Sequence, residues 1–274
     1  MNPTQTEKAI QFRALHQGPE ILLLPNPWDA GSARLLQHQG FAALATSSGA
    51  SAGTWGRRDG RISRAESLAS ARLIVEATSL PVSADLENGF GAEPAMVAET
   101  IRLAAAAGLA GGSIEDFTGD PRQSQYDLGQ ATERIAAAVA AARSLGFPFT
   151  LTARAENYLR GNPQLDDVIR RLVAYEQAGA DVLFAPGLPD LAAVREVCAA
   201  VRQPVNFMVG LKGKSFSVAE LADAGVRRIS FASSLYRAAL TGLLNAAREI
   251  KGPGTFHYLA NTISTPELNQ FLGE

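Results

Sequence analysis

Pro81-Val82-Ser83-Ala84-Asp85-Leu86-Glu87-Asn88-Gly89-Phe90-Gly91 contains the unit from which the chain is built. A proline opens the run, which is tolerated at a strand's first residue. Val82–Leu86 is short and β-rich, and the carboxylates and glycines after it mark an exit into a loop. Helical patterns flank it, Arg64–Thr78 before and Pro94–Ala107 after, with apolar residues at helical spacing.

The same unit recurs along the whole sequence. Strand-like runs are Ile21–Pro25, Ala42–Ser47, Val82–Leu86, Gly112–Glu115, Phe149–Ala153, Val182–Ala185, Val205–Val209 and Arg228–Ala232. The helical patterns are Ala30–Gln39, Arg64–Thr78, Pro94–Ala107, Thr132–Leu145, Leu165–Ala178, Leu191–Val201, Val218–Ala224 and Leu235–Ile250. Strict alternation implies a parallel sheet, because each parallel return needs a crossover. Eight repeats favour a closed (β/α)8 TIM barrel over a doubly wound sheet, and no G-x-G-x-x-G follows the first strand. The 274 residues are expected to form one barrel domain, 1–274, with a helical tail at 253–274 in which Pro266–Leu272 reads as a short helix. A terminal helix of that kind is expected to pack on a neighbouring subunit.

Composition excludes several classes of partner. There are 25 basic and 27 acidic residues, a formal net charge of -2, and no Lys/Arg cluster, so neither nucleic acid nor an anionic membrane is expected. The most apolar stretch, Leu103–Ile114, is broken by glycines and too short to span a bilayer. No signal peptide is visible at Met-Asn-Pro-Thr-Gln, and a cytoplasmic location is expected. The single cysteine, Cys198, forbids an intramolecular disulfide and lies in a helical pattern, where it reads as a small buried thiol.

In such a barrel the chemistry lies at the C-terminal ends of the strands. The third strand ends in Asp85 and Glu87, which share a face if the strand continues through both. The fourth ends Ser113-Ile114-Glu115-Asp116, the fifth Ala153-Arg154-Ala155-Glu156-Asn157, and the seventh supplies Asn206. One carboxylate at a strand end is ordinarily a helix cap or a solvated loop residue. Several at one rim repel one another unless a cation or proton intervenes. Oxygen donors without His or Cys suit Mg²⁺ or Mn²⁺ rather than zinc.

From Leu24 to about Arg248 the chain resembles the isocitrate lyase/phosphoenolpyruvate mutase superfamily. The resemblance rests on Asn26-Pro27-Trp28-Asp29-Ala30, Ser47-Ser48-Gly49-Ala50-Ser51, Asp85-Leu86-Glu87-Asn88-Gly89-Phe90-Gly91, Ser113-Ile114-Glu115-Asp116 and Arg154-Ala155-Glu156, in that order on successive strand ends. It implies Mg²⁺ on Asp85, with Glu87, Glu115 and Asp59 joining directly or through water. It also implies a substrate carboxylate held by the turn Ser48-Gly49-Ala50, a pocket wall at Trp28 and Asp29, and Arg154 steadying the reacting anion. Oligomers with a swapped last helix follow from the same likeness, as dimer or tetramer. The implied reaction is C–C cleavage of a small 2-oxo or 2-hydroxy di- or tricarboxylate. The substrate chelates the metal, which acts as a Lewis acid toward the enolate, and fixed positive potential comes from backbone amides and Arg154.

The chain departs from that pattern after the fourth strand. Lyases of the family carry a K-K/R-C-G-H loop there, whereas residues 117–128 read Phe-Thr-Gly-Asp-Pro-Arg-Gln-Ser-Gln-Tyr-Asp-Leu, without cysteine or histidine. The lysine–asparagine pattern of phosphonate-forming mutases is also missing. The general acid is therefore unassigned, with Tyr126 a conceivable donor or a packing residue and Glu156 a second candidate. Phosphonopyruvate-type P–C chemistry and a non-catalytic 2-oxo acid binder are the alternatives. Gly49-Ala50-Ser51-Ala52-Gly53 fits the G-x-S-x-G of serine hydrolases, but a loop rather than a helix is expected after it. Gly213-Lys214-Ser215 fails as a phosphate loop because Met208 stands where glycine is needed. Lys212 and Lys214 read as solvated.

Overall fold

Strand β3 (Val82–Asp85) lies parallel to its neighbours β2 (Leu44–Ala45) and β4 (Gly111–Glu115). The sheet continues through β5 (Thr150–Arg154), β6 (Val182–Phe184), β7 (Val205–Met208) and β8 (Arg228–Ser230) to β1 (Leu22–Leu24), all parallel. The Ala45 N–H on the Pro25 carbonyl at 3.0 Å and Asn26 Nδ2 on the Thr46 carbonyl at 2.8 Å bridge the remaining seam, so the eight strands form a nearly closed (β/α)8 barrel. This is a computed structural model, and it describes residues 3–120, 122–213 and 215–272. Lys214 lies outside the described residues, while Lys212 is exposed.

The helices that follow the strands are α2 (Ala30–His38), α4 (Arg64–Ala77), α5 (Pro94–Ala106), α6 (Leu128–Arg143), α7 (Leu165–Gln177), α8 (Leu191–Ala200), α9 (Val218–Asp223) and α10 (Ser234–Lys251). Side-chain caps fix several starts, as where Asp29 accepts the Ser32 N–H at 2.7 Å and Ser63 forms a capping box with Glu66. Their apolar faces meet the outer faces of the strands in one continuous core that includes Ile74, Val97, Ile101, Leu151, Val168, Leu172 and Val194.

Two helices escape the sequence pattern. The first, α1 (Gln5–Leu15), buries only Lys8, Ala9 and Phe12. Its Lys8 Nζ donates to the Thr78 carbonyl at 2.8 Å and Gln5 Nε2 to the Leu109 carbonyl at 3.0 Å, so it covers the N-terminal end of the barrel. The second, α3 (Ser48–Thr54), is built from Ser, Gly, Ala and Thr, a composition that reads as a loop. It begins where Ser47 caps the chain leaving β2.

The tail ends in a short helix. α11 (Thr265–Phe271) packs on α2 of its own chain: Arg34 Nη1 donates to the Leu272 carbonyl at 2.7 Å, and the His38 and Phe271 rings meet edge-on at 4.9 Å. Leu268, Phe271 and Leu272 line one groove with Leu35 and Leu36. α10 also has no buried residue and carries Leu240, Leu243, Leu244 and Ile250 exposed. No helix among the described residues is long and apolar enough to cross a membrane.

Candidate active site at the strand C-termini

The β3 strand stops at Asp85, so Glu87 does not share its face by strand alternation, as the sequence suggested. Instead the backbone turns left-handed at Glu87 (φ 50°), Gly89 (φ 80°) and Phe90 (φ 59°). Two non-glycine residues in that region carry strain of the kind that concentrates at functional sites. Arg134 holds the loop in place. This buried guanidinium of α6 donates to the Gly91 carbonyl at 2.7 Å and makes short contacts with the carbonyls of Asn88 and Ala92.

The turn still gathers the carboxylates. Burial, then Asp85, then Asp59 push the Glu87 carboxyl up to about 7, against the pull of Arg154. Glu87 Oε1 is buried without a hydrogen-bond partner. Asp85 Oδ2 accepts the Ser48 N–H at 3.1 Å, which ties β3 to the first turn of α3. Ser48, Gly49 and Ala50 thus form a helical turn rather than an irregular one. A Cβ on Gly49 would lie 3.3 Å from the Asp59 carboxylate, so only glycine lets Asp59 approach so closely without displacing it. Ser51 is buried inside that helix, which removes the nucleophile-elbow reading.

Arg154, the last residue of β5, lies among three carboxylates. Its Nε is 2.5 Å from Glu156 Oε1, and its Nη1 is 3.3 Å from Glu115 Oε2 and 3.9 Å from Asp85 Oδ2. Burial works against this cation, but Glu156, Glu115 and Asp85 raise its pKa further still. Burial pushes the Glu115 carboxyl well above its usual range, opposed by Arg154. The strand ends at Arg154, so a turn rather than strand alternation brings Glu156 back onto it.

Sequence reading missed Arg160, whose Nε lies 2.9 Å from Glu156 Oε2 without hydrogen-bond alignment, and whose guanidinium sits 3.6 Å over the Phe117 ring. The i, i+4 spacing from Glu156 was its one signal. Asp116 is spent structurally. Its Oδ1 accepts the Glu156 N–H at 2.8 Å, and its Oδ2 takes Arg171 Nη1 at 2.9 Å and Tyr175 Oη at 2.8 Å.

Not every expected residue reaches this rim. Asn206, near the start of β7, lies below it, buried and lining a cavity of about 50 Å³ together with Asp85 and Arg154. Trp28 and Asp29 line a separate groove of about 470 Å³ beside α2 and α11, where Trp28 meets the Tyr236 ring edge-on at 5.5 Å. Tyr126 is buried in the core with the Arg134 guanidinium 4.2 Å from its ring centre, and it does not line the cavity. Cys198 lies on α8, its thiol pushed up to about 11 by burial.

Among the described residues, no three carboxylate, imidazole or thiol groups stand close enough to enclose a metal ion by themselves. What is present fits a cation that keeps much of its water. The donors are all oxygen, Glu87 Oε1 is unpartnered, and the charges of Asp85 and Asp59 both act on Glu87.

Comparison with known proteins finds relatives along nearly the whole chain. The phosphoenolpyruvate phosphomutase family profile matches residues 12–251. A 2-methylisocitrate lyase of Escherichia coli (strain K12) is 30% identical over 93% of this chain and 88% of its own length. A crystal structure from Burkholderia cenocepacia J2315, provisionally named a lyase/mutase, superposes with a TM-score of 0.96 at 52% identity, covering 97% of this chain and 96% of that one. The structure of 2,3-dimethylmalate lyase, a member of the phosphoenolpyruvate mutase/isocitrate lyase superfamily, superposes with a TM-score of 0.87 at 28% identity, covering 97% and 95%.

Proposed function

The chain belongs to the phosphoenolpyruvate phosphomutase family of the isocitrate lyase superfamily, and from that premise we propose a Mg²⁺-dependent lyase cleaving a C–C bond in a small 2-oxo or 2-hydroxy di- or tricarboxylate. The observation that carries this reading is Arg154 set among Asp85, Glu115 and Glu156, beside the strained loop that bears the unpartnered Glu87. Asp85 and Glu87 would hold Mg²⁺ or Mn²⁺, with Glu115 and Asp59 reaching it through water. Once bound, the metal supplies a Lewis acid next to the substrate's oxo and carboxylate oxygens.

The chain's own groups do the rest. The first-turn amide of Gly49 in α3 would present an N–H donor to a substrate carboxylate, the Ala50 N–H being taken by the Ser47 cap, and Asn206 offers a second contact deeper in the cavity. Arg154 places a fixed cation where negative charge develops, and Glu156 holds it there. Tyr126 is not assigned a proton-transfer role, because its ring is committed to the core. Glu156 is wholly buried and bound to two arginines, which suits a positioning group better than a proton donor.

The family profile is named for a P–C rearrangement, so phosphonopyruvate chemistry is the second reading. The lyase relatives favour C–C cleavage, while residues 117–128 lack the loop pattern of lyases and mutases alike. We also propose a homodimer or tetramer in the cytoplasm, with the exposed leucines of α10 covered by a partner subunit. The deciding experiment is turnover of oxaloacetate, alkylmalates, 2-methylisocitrate and phosphonopyruvate, each with Mg²⁺ and with chelator. Mg²⁺-dependent release of a C–C cleavage product supports the lyase. Turnover of phosphonopyruvate alone assigns the second reading, and no turnover with retained Mg²⁺ binding marks a non-catalytic binder.

A further inference from the structure

Two guanidinium groups line the central cavity, and they differ in their partners. Arg154 is surrounded by carboxylates, as described. Arg228, the first residue of β8, is 4% exposed and has no carboxylate within ion-pair distance among the described residues. Its Nε donates to Asn206 Oδ1 at 2.8 Å, and its Nη1 faces His16 Nε2 at 3.4 Å. His16 Nδ1 donates to the Phe12 carbonyl at 2.7 Å, which leaves Nε2 as a lone pair toward the guanidinium. Burial, then Arg228, depress the imidazole pKa to about 3, so the ring is neutral. Both partners of Arg228 are therefore uncharged.

A buried cation without a counter-ion is costly, and such charges are normally paired. Burial alone pushes the Arg228 guanidinium down to about 9. Barrel interiors are usually filled by bulky branched side chains. Here the cavity that Arg228 lines also has Ser83, Ser113, Asn206 and Ser230 in its walls, beside the apolar Leu24, Phe184 and Met208. The amide orientation of Asn206 is dictated by chemistry: an arginine only donates, so Oδ1 must face it. Nδ2 is thereby turned toward Ser230 Oγ, 3.0 Å away. The cavity of about 50 Å³ exceeds the roughly 10–15 Å³ needed for one water.

We propose that the deep end of this cavity is a carboxylate subsite, with Arg228 as its counter-charge and Asn206 as its amide donor. Identifying the occupant as a substrate carboxylate rests on the lyase reading; the subsite itself does not. The division of labour follows from the two arginines. Arg154, held among protein carboxylates, is aimed at the reacting centre, whereas Arg228 faces only uncharged partners and has its charge to offer to a bound carboxylate.

The test uses oxalate, the smallest dicarboxylate, titrated calorimetrically into metal-free full-length protein. Arg228→Met should weaken oxalate binding by at least about tenfold, while Arg228→Lys, which keeps the charge, should stay within about threefold. Mg²⁺ titrated alone should bind all three proteins equally. Asn206→Asp provides the arm that survives if Arg228→Met fails to fold. It gives Arg228 a carboxylate inside the protein, so it should raise the unfolding temperature while abolishing oxalate binding. Wild-type oxalate affinity in Arg228→Met or in Asn206→Asp overturns the subsite. Oxalate binding that depends on Arg228, in a protein that turns over none of the carboxylate substrates, rejects the lyase reading and upholds the subsite.

Discussion

Glu156 Oε1 lies 2.5 Å from Arg154 Nε, and the backbone N–H of Glu156 is itself fixed by Asp116 Oδ1 at 2.8 Å. The cation at the centre of the site is thus held by a chain of buried groups that runs through Asp116 to Arg171 and Tyr175.

This relationship predicts a graded response. Arg154→Lys replaces a fork with a point charge and should lower kcat/KM by about a hundredfold, roughly 3 kcal/mol of transition-state stabilisation. Glu156→Gln should do less harm and keep both limbs of the pH–rate profile, because the group orients Arg154 rather than transferring a proton. Loss of one limb in Glu156→Gln would make Glu156 the acid or base. Wild-type turnover in Arg154→Lys would make the arginine structural.

Tyr126 supplies the opposite expectation. Its ring packs on the Arg134 guanidinium, which in turn grips the loop after β3. Tyr126→Phe keeps that packing and should leave kcat within about twofold, whereas a proton donor would cost about a hundredfold or more. Steady-state kinetics of that single variant decides between them.

His16 gives a pH dependence of stability with a definite sign. Its folded pKa is depressed from 6.5 to about 3, so its contribution is present above 6.5 and is lost as pH falls from 6.5 toward 3. The loss is at most about a tenfold change in the folding equilibrium constant per pH unit. Denaturant unfolding of wild type and His16→Gln from pH 7 to 3.5 measures it. Carboxylates titrate in both proteins, so the wild-type curve should fall more steeply; parallel curves would contradict the buried neutral imidazole.

Much of this architecture is legible in the sequence because β-rich runs and helical patterns alternate without a break, and each strand ends within a residue or two of its reading. The carboxylate cluster is legible for the same reason, since its members sit at strand ends. What is not legible depends on backbone departures and long-range packing. The sequence suggests that Glu87 continues the strand, and only the left-handed turn at φ 50° shows how it is aimed. α1 is obscured because its buried face includes Lys8, whose ammonium is satisfied by a distant carbonyl. Arg134 leaves a trace, a lone arginine on the alanine-rich face with Ala131, Ile135 and Ala138, but its loop partners lie more than forty residues away. Arg228 looks like an ordinary basic residue until the barrel closes around it.

The uncovered helix predicts assembly. Leu243 is 66% exposed on α10, beside Leu240 and Leu244. Leu243→Glu should shift the protein toward monomer in sedimentation velocity without unfolding the barrel. A wild-type protein that is already monomeric would remove the proposed interface.

The most direct test of the account is Mg²⁺ calorimetry on wild type and Asp85→Ala side by side. Asp85 faces the cavity at the end of β3, held by the Ser48 N–H, and no part of the barrel core depends on its carboxylate. Wild type should bind Mg²⁺ at one site per chain, and Asp85→Ala should show no binding heat while its far-ultraviolet circular dichroism and unfolding transition stay those of a folded barrel. Equal Mg²⁺ affinity in the two proteins would contradict the metal site, and with it the Mg²⁺-dependent lyase built upon it.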